Sequence, residues 1–140
     1  MKKLSVATSL LAVLLTSAFT AQAHTLTVNI DQIKEQSGKL HVALYRSEQS
    51  YQQGKDAVAA VVKAVSGESQ QLVFSDLAEG QYAIKIMHDA NDNGELDRNI
   101  MGIPSEGYGF SNNAGQFGPA SFKDAAFAVA ADTSLTIHIR

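Results

Sequence analysis

The sequence contains no cysteine among its 140 residues, and this excludes several properties of a small protein. Disulfide bonds cannot form, so stability must come from packing, with the help of a bound ion if one is present. A cysteine nucleophile and a lipid attached to cysteine are excluded as well. The sequence also lacks the G-x-S-x-G, H-E-x-x-H and phosphate-loop motifs of common enzymes. These absences favour a protein that is not an enzyme.

Basic residues are fewer than acidic ones, with 11 Lys and Arg against 14 Asp and Glu. The formal net charge is −3, and it becomes −5 if Lys2 and Lys3 are removed with a leader. An acidic surface argues against nucleic acid or anionic lipid as a partner.

Residues 1–23 are typical of a signal peptide. Two lysines precede an apolar run from Leu4 to Phe19, and Ala-Gln-Ala at 21–23 has the small-x-small form that a signal peptidase recognises. The run is short for a membrane span and has no stop-transfer flank. We therefore expect cleavage after Ala23, a single domain over residues 24–140, no membrane span after cleavage, and a periplasmic or secreted product.

Alternating polar and apolar residues predict strands along the mature chain, and no long helical pattern is present. Residues 46–56 predict a loop or a single helical turn. The alanines of residues 57–65 would tolerate a helix, but the valines favour a strand. The predicted strands are 25–30, 39–44, 57–65, 70–74, 82–87, 125–129 and 135–139. Short strands without long helices indicate an all-β fold, an antiparallel β-sandwich of about seven strands.

A long loop, residues 88–119, separates the fifth and sixth predicted strands, and such loops are usually functional or disordered. Disorder is disfavoured because apolar side chains would give the loop a buried underside: Ile100, Ile103, Tyr108, Phe110 and Phe117.

Within this loop, oxygen-bearing side chains recur at alternate positions. Asp89, Asn91 and Asn93 are followed by Gly94 and then by Asp97, which matches the first nine positions of a twelve-residue calcium loop. Glycine permits the sharp turn, and the backbone carbonyl of Glu95 would be a further ligand. The pattern predicts a cation site in which calcium is favoured, because all the ligands are oxygen atoms.

The twelfth position of the pattern departs from the calcium loop. It holds Ile100, where an EF-hand has a bidentate glutamate, so an ordinary EF-hand is excluded. Glu106 is the nearest acidic candidate to replace it, as a ligand or as a hydrogen-bond partner of a ligating group. Asp92 points away by the alternation. The alternative to a cation site is a turn rich in Asp and Asn, because turns favour these residues and glycine.

The run FSDLAEGQYAIKIMHDANDNGELDRNIMGIPSEGYGFSNNA, from Phe74 to Ala114, resembles the signature of a bacterial family, domain-of-unknown-function family 2141. The similarity extends across the mature chain, from GKLHVALY at Gly38 to the last strand. The resemblance implies a small exported protein without an established activity. The D-L-x-x-G-x-Y segment, Asp76 to Tyr82, is similar to transthyretin-like and collagen-adhesin sandwiches, some of which carry a D-x-N-x-D-G calcium loop. The fold expected from it is immunoglobulin-like or transthyretin-like.

Beyond the predicted cation loop lies the segment EGYGFSNN, residues 106–113. Glycines on either side of an aromatic ring allow a close approach to a ligand, and hydroxyl and amide groups offer hydrogen bonds. Such a surface suits a protein, peptide or carbohydrate, with the candidate contacts Tyr108, Ser111, Asn112 and Asn113. Alternatively, Tyr108 and Phe110 plug the bottom of the sandwich, which we favour for Phe110.

Two other classes of function remain open. Cleavage after Ala23 would place His24 at the amino terminus, where its amine and imidazole could chelate copper with His41, His88 or His138. A small metal-assisted hydrolase could use His88 and Asp89 with Ser105, Glu106 and Ser111, or the carboxylate pair Glu95 and Glu106. Neighbouring residues of a strand point to opposite faces, so His88 and Asp89 are poorly placed to form a dyad.

The sequence thus predicts an exported, non-enzymatic β-sandwich. Its cation ligands would be Asp89, Asn91, Asn93, Glu95, Asp97 and Glu106, and the adjoining segment would bind a partner.

Overall fold

The computed structural model describes residues 21–140, so the predicted signal peptide lies almost wholly outside the described residues. Within these residues, eight strands form two sheets and two short α-helices are present. The strands are β1 (His24–Asp31), β2 (Lys39–Tyr45), β3 (Ala59–Ala64), β4 (Gln70–Leu77), β5 (Gly80–Asp89), β6 (Tyr108–Phe110), β7 (Phe127–Val129) and β8 (Thr133–His138). The helices are α1 (Glu48–Gln53) and α2 (Phe122–Ala125). The prediction of an all-β sandwich is confirmed.

The first sheet has the order β4-β1-β8, and the second has the order β3-β2-β5-β6, with β7 paired to the start of β5. All pairs are antiparallel except β1 and β8, which run parallel. Strand β1 is the central strand of the first sheet, and it buries every second residue, as its strict alternation predicts. The core lies between the sheets and includes Leu26, Val28, Ile30, Leu40, Val42, Leu44, Ile84, Ile86 and Ile137.

Two predicted ambiguities are resolved. The polar segment after β2 forms α1, which begins after Ser47 and ends at Gly54. The Ser47 hydroxyl accepts the Ser50 N–H at 3.2 Å, and Gly54 has a φ of 62°, so both ends of the helix are capped. The alanine- and valine-rich segment forms β3 rather than a helix, because it pairs along its whole length with β2.

The long loop differs from its prediction, because the three-residue β6 and a 3-10 turn at Ser111–Asn113 interrupt it. The strand was not predicted from hydrophobic periodicity, because its inward-facing position is a glycine and not an apolar side chain. Gly109 faces inward, where a Cβ atom would lie 2.8 Å from Cγ2 of Ile137 and 3.1 Å from the His138 carbonyl oxygen. Its two neighbours, Tyr108 and Phe110, therefore face outward. The prediction that Phe110 plugs the bottom of the sandwich is wrong.

The outer face of the second sheet is only partly covered. Helices α1 and α2 cover one end of it, where Tyr51 meets Tyr45 and Phe122 in edge-to-face contacts, each with 5.6 Å between ring centroids. Ala83 of β5 is buried beneath this second small core. No helix among residues 21–140 is long and apolar enough to cross a membrane.

Candidate cation loop and adjoining groove

The predicted cation loop starts at the last residue of β5, where Asp89 is fully buried. Its Oδ1 accepts the Asn93 N–H at 3.0 Å, and its Oδ2 accepts the Gly94 N–H at 2.7 Å. Gly94 has a φ of 82°, which favours glycine, so the chain can turn back on the carboxylate. One side chain thus fixes the first half of the loop.

The Asp89 carboxylate is held in its charged form. Burial by itself raises its pKa, but the backbone N–H groups of Gly94 and Asn93, together with the His41 imidazole, outweigh that effect. The resulting pKa lies below the ordinary value of 3.8.

Asp97 gathers the two asparagines of the predicted ligand set. Its Oδ2 accepts the side-chain amide of Asn91 at 2.6 Å, and its Oδ1 accepts that of Asn93 at 2.9 Å. The Oδ1 atoms of the two asparagines accept the N–H groups of Asn93 and Glu95, at 3.2 and 2.9 Å. The structure therefore brings Asp89, Asn91, Asn93 and Asp97 into one hydrogen-bonded loop.

Glu106 closes this loop from the returning chain. Its Oε1 accepts the N–H groups of Ala90 and Asn91 at 3.0 and 3.4 Å, and its Oε2 accepts that of Asp97 at 2.9 Å. These bonds go to backbone N–H groups, two of them on residues whose side chains are predicted ligands, Asn91 and Asp97, and the expected role of Glu106 as a ligand or as a partner of a ligating group stays a prediction. Both ends of the loop depend on this one carboxylate.

The remaining acidic side chains lie outside the cluster. Asp92 is exposed, and its Oδ1 lies 2.9 Å from Nζ of Lys39. The ion pair raises the pKa of Lys39 above its ordinary value, mainly through the hydrogen bond to Asp92. Glu95 is also exposed, so its predicted part in the site stays confined to its backbone carbonyl.

Residues 97–105 form a narrow excursion whose tip is exposed. Arg98 and Pro104 form an isolated antiparallel bridge, and the Asn99 side chain accepts the N–H groups of Met101 and Ile103 at 2.9 and 3.1 Å. These local bonds hold the tip in solvent, with apolar residues outward. The prediction of a buried underside is therefore wrong for Ile100, Ile103 and Phe117, which are 105%, 54% and 101% exposed.

A groove of about 900 Å³ runs over the uncovered part of the second sheet. Its floor consists of outward residues on three neighbouring strands, and the register places them in two rows. His41, Met87 and Tyr108 form one row, and Ala43, Lys85 and Phe110 form the other. Beyond the sheet, the excursion forms a wall through Leu96, Arg98 and Ile103, and the segment 116–119 also lines the groove.

Along the outer face of β5, the groove lies between the two helices and the predicted cation loop. Ala83 lies under the helices, Lys85 and Met87 form the floor, and Asp89 begins the cation loop. The volume of about 900 Å³ falls within the usual range for small-molecule sites. Sequence reasoning missed this groove, because outward residues of a strand were expected to face solvent.

Lys85 is the basic group at the helix end of the groove. Its Nζ lies 4.2 Å from the ring centroid of Tyr51 and 5.7 Å from that of Tyr45, and it donates a hydrogen bond to the Tyr51 carbonyl. Burial lowers the pKa of Lys85 below its ordinary value of 10.5 and raises that of Tyr51 to about 12.

Of the four residues predicted to contact a partner, Tyr108 alone lines the groove. The Ser111 hydroxyl accepts the Ile84 N–H at 2.9 Å and donates to the Ala125 carbonyl. The amide of Asn112 donates to the carbonyls of Asp124 and Ala126, and Asn113 bonds the backbone of β8. These three side chains join β5, α2 and β8 to the 3-10 turn.

The histidines of the copper hypothesis lie on different elements. His24 is the first residue of β1 and lies opposite Leu77 of β4. His138, the last residue of β8, forms a hydrogen bond with Asp31, the last residue of β1. His88 faces inward, with its Nε2 2.8 Å from the Ser37 carbonyl oxygen, whereas Asp89 beside it bonds the cation loop. Residues 21–140 contain no group of three or more His, Asp or Glu side chains arranged to hold a metal ion. The predicted cation loop instead combines two carboxylates with amide and carbonyl oxygens.

The fold and site together define a class of small β-sandwich proteins with an acidic loop and a groove on the outer face of one sheet. A family model described as an uncharacterized protein conserved in bacteria, domain-of-unknown-function family 2141, matches residues 28–138. The chain belongs to this family, and the resemblance noted in the sequence is confirmed. No curated protein and no solved structure matches the chain.

Proposed function

We propose that the protein is an exported, non-enzymatic binding protein in which a calcium loop, residues 89–97, fixes one wall of a ligand-binding groove. The observation that carries this proposal is the continuity of the two features. Leu96 and Arg98 line the groove, and the residue between them, Asp97, joins both asparagines of the loop. An ion that holds Asp97 would therefore hold the wall.

The contacts within the loop support a cation at Asp97, in the place of the amide groups that now donate hydrogen bonds to its carboxylate. Each oxygen of Asp97 accepts a hydrogen bond from an asparagine amide, so both asparagine side chains lie beside this carboxylate. Rotation of the asparagine side chains by about half a turn would exchange amide nitrogen for oxygen. Two carboxylates, two amide oxygens and the Glu95 carbonyl would then face one ion, which is a set that calcium accepts.

The proposal is tested by titrating calcium into the chain from His24 to Arg140 and measuring the heat of binding by calorimetry. Asp97→Asn should weaken calcium binding by at least about tenfold, since ligand geometry and charge both change. Asp92→Asn is the matched control, because it removes the same charge from an exposed residue of the same loop and should leave the affinity nearly unchanged.

Equal losses from the two variants would mean that the loop attracts calcium only through its total charge. An absence of calcium binding by the unaltered protein at millimolar concentration would reject the cation site, and the loop would then be a turn held by its own hydrogen bonds.

A further inference from the structure

The groove has a charge opposite to that of the whole chain. The formal net charge is −3, yet the groove is lined by the basic side chains of His41, Lys85 and Arg98, with no carboxylate side chain among the described lining residues. Clefts lined by one sign of charge concentrate ligands of the other sign. The cavity is thus suited to an anion, although the protein as a whole is acidic.

Lys85 lies within the groove as a cation without a counter-ion. Among residues 21–140 it has no carboxylate within ion-pair distance, and its amine donates a single hydrogen bond, to the Tyr51 carbonyl. An ammonium group has three donors, so two N–H groups remain for a ligand. The Tyr51 ring on one side keeps the amine half-buried, where a charged hydrogen bond is stronger than in water.

Apart from its basic side chains and Gln116, the groove is lined mainly by apolar and aromatic residues. Met87, Tyr108 and Phe110 lie in its floor, and the exposed Ile103 and Phe117 also line it. Exposed apolar side chains at the rim of a concave site are typical of a ligand-binding surface. A ligand that filled the groove would cover them and leave its charged end at Lys85.

From this charge complementarity we infer that the groove binds a small amphipathic carboxylate, with its anionic head at Lys85 and its apolar body against the apolar lining, which includes Ile103 and Phe117. The inference rests on the proposed binding function and names the class of ligand. A purely polar sugar or a cationic molecule would leave either the apolar walls or the lysine without a partner.

Octanoate is a suitable probe because it is soluble and has one carboxylate on an apolar chain. Binding to the chain from His24 to Arg140 is measured by calorimetry and by NMR shifts of Tyr108, and octan-1-ol and octylammonium serve as matched ligands. We expect octanoate to bind more tightly than both by about tenfold or more, as one charged hydrogen bond provides. Equal affinity for the alcohol, or tighter binding of the ammonium ion, would overturn the inference.

A lysine variant locates the head group. Lys85→Met keeps the apolar stem and should weaken octanoate about tenfold while leaving octan-1-ol unchanged. Lys63→Met, on β3 away from the groove, is the control. An unchanged octanoate affinity in Lys85→Met would overturn the assignment; if that variant fails to fold, the comparison of the three ligands on the unaltered protein decides alone. Absence of octanoate binding would reject the ligand class, while the calcium titration would still judge the proposed function separately.

Discussion

The Nε2 atom of His41 lies 3.6 Å from Oδ2 of Asp89, so the floor of the groove touches the first residue of the cation loop. The same nitrogen is buried and has no hydrogen-bond partner among the described residues. Together with the wall that follows Asp97, this contact links the loop and the groove at two places. The two proposed sites should therefore influence each other.

The first prediction is a positive coupling between calcium and octanoate. Calcium should fix the wall that contains Leu96 and Arg98. Octanoate should therefore bind more tightly when calcium is present, by roughly 5- to 150-fold, which is the range typical of coupled sites. Octanoate must then raise the affinity for calcium by the same factor. Titration of each ligand with and without the other measures both factors. Independent affinities would show that the wall keeps its shape without the ion.

The second prediction concerns stability. An ion that binds only the folded state stabilises it by RT ln(1 + [L]/Kd), so calcium at about a hundredfold excess over Kd should add about 2.7 kcal/mol. For a domain of this size the melting temperature should rise by several degrees. Calorimetric melting with calcium and with a chelator measures the shift. Protease should cut the chelated protein first between residues 90 and 107, and indifference of both melting and cleavage to calcium would contradict the cation site.

The third prediction compares Glu106, whose carboxylate holds the loop through hydrogen bonds, with Glu95, whose side chain is exposed. Glu106→Gln places an amide opposite an N–H donor, of either Asp97 or Ala90 and Asn91, so at least one hydrogen bond of the loop is lost. Calcium binding should weaken by about tenfold or more, and the chelated protein should melt lower as well. Glu95→Gln is the control, because this exposed side chain is predicted to contribute only its backbone carbonyl. Equal behaviour of the two variants would remove Glu106 from the site.

The fourth prediction is a dependence of stability on acid. The folded-state pKa of Asp89 is depressed, so the stability that this carboxylate contributes is present above its unfolded pKa, near 3.8, and is lost as the pH falls through the folded value. Without calcium, the melting temperature should therefore fall as the pH is lowered below about 4. Asp89→Asn should be less stable at neutral pH and should lose less on acidification. A parallel fall in both proteins would assign the acid sensitivity to other carboxylates.

Alternation in the sequence was enough to predict the strands of the core. Every second residue of such a strand points to the same face, and Leu26, Val28 and Ile30 are buried on that face. The spacing of Asp89, Asn91, Asn93 and Asp97 likewise predicted a loop that the structure brings together. Both patterns are local, since they depend on a few neighbouring residues. What they predict is the direction of a side chain, not what covers it.

The groove depends on contacts between distant parts of the chain, and its residues are unremarkable in the sequence. Lys85 alternates with buried isoleucines as any exposed strand residue would, and only the positions of α1 and the 97–105 excursion enclose it. The failure of the burial prediction for Ile100 and Ile103 has a different, local cause. Hydrophobicity predicted burial, whereas the local hydrogen bonds of Asn99 hold the tip in solvent.

The last prediction tests why β6 faces as it does, since Tyr108 and Phe110 reach the groove only because Gly109 faces inward. A Cβ atom at Gly109 would lie 2.8 Å from Cγ2 of Ile137 and 3.1 Å from the backbone oxygen of His138, too close for the strand to stay in place. Gly109→Ala should therefore lower the free energy of unfolding by about 1 to 3 kcal/mol, the usual cost of overpacking, and should weaken octanoate binding by displacing Tyr108. Gly67→Ala is the matched control, because a Cβ atom there would meet nothing closer than 3.7 Å and its φ is not positive. Urea denaturation of the two variants measures the difference, and equal stability would show that β6 can shift without loss.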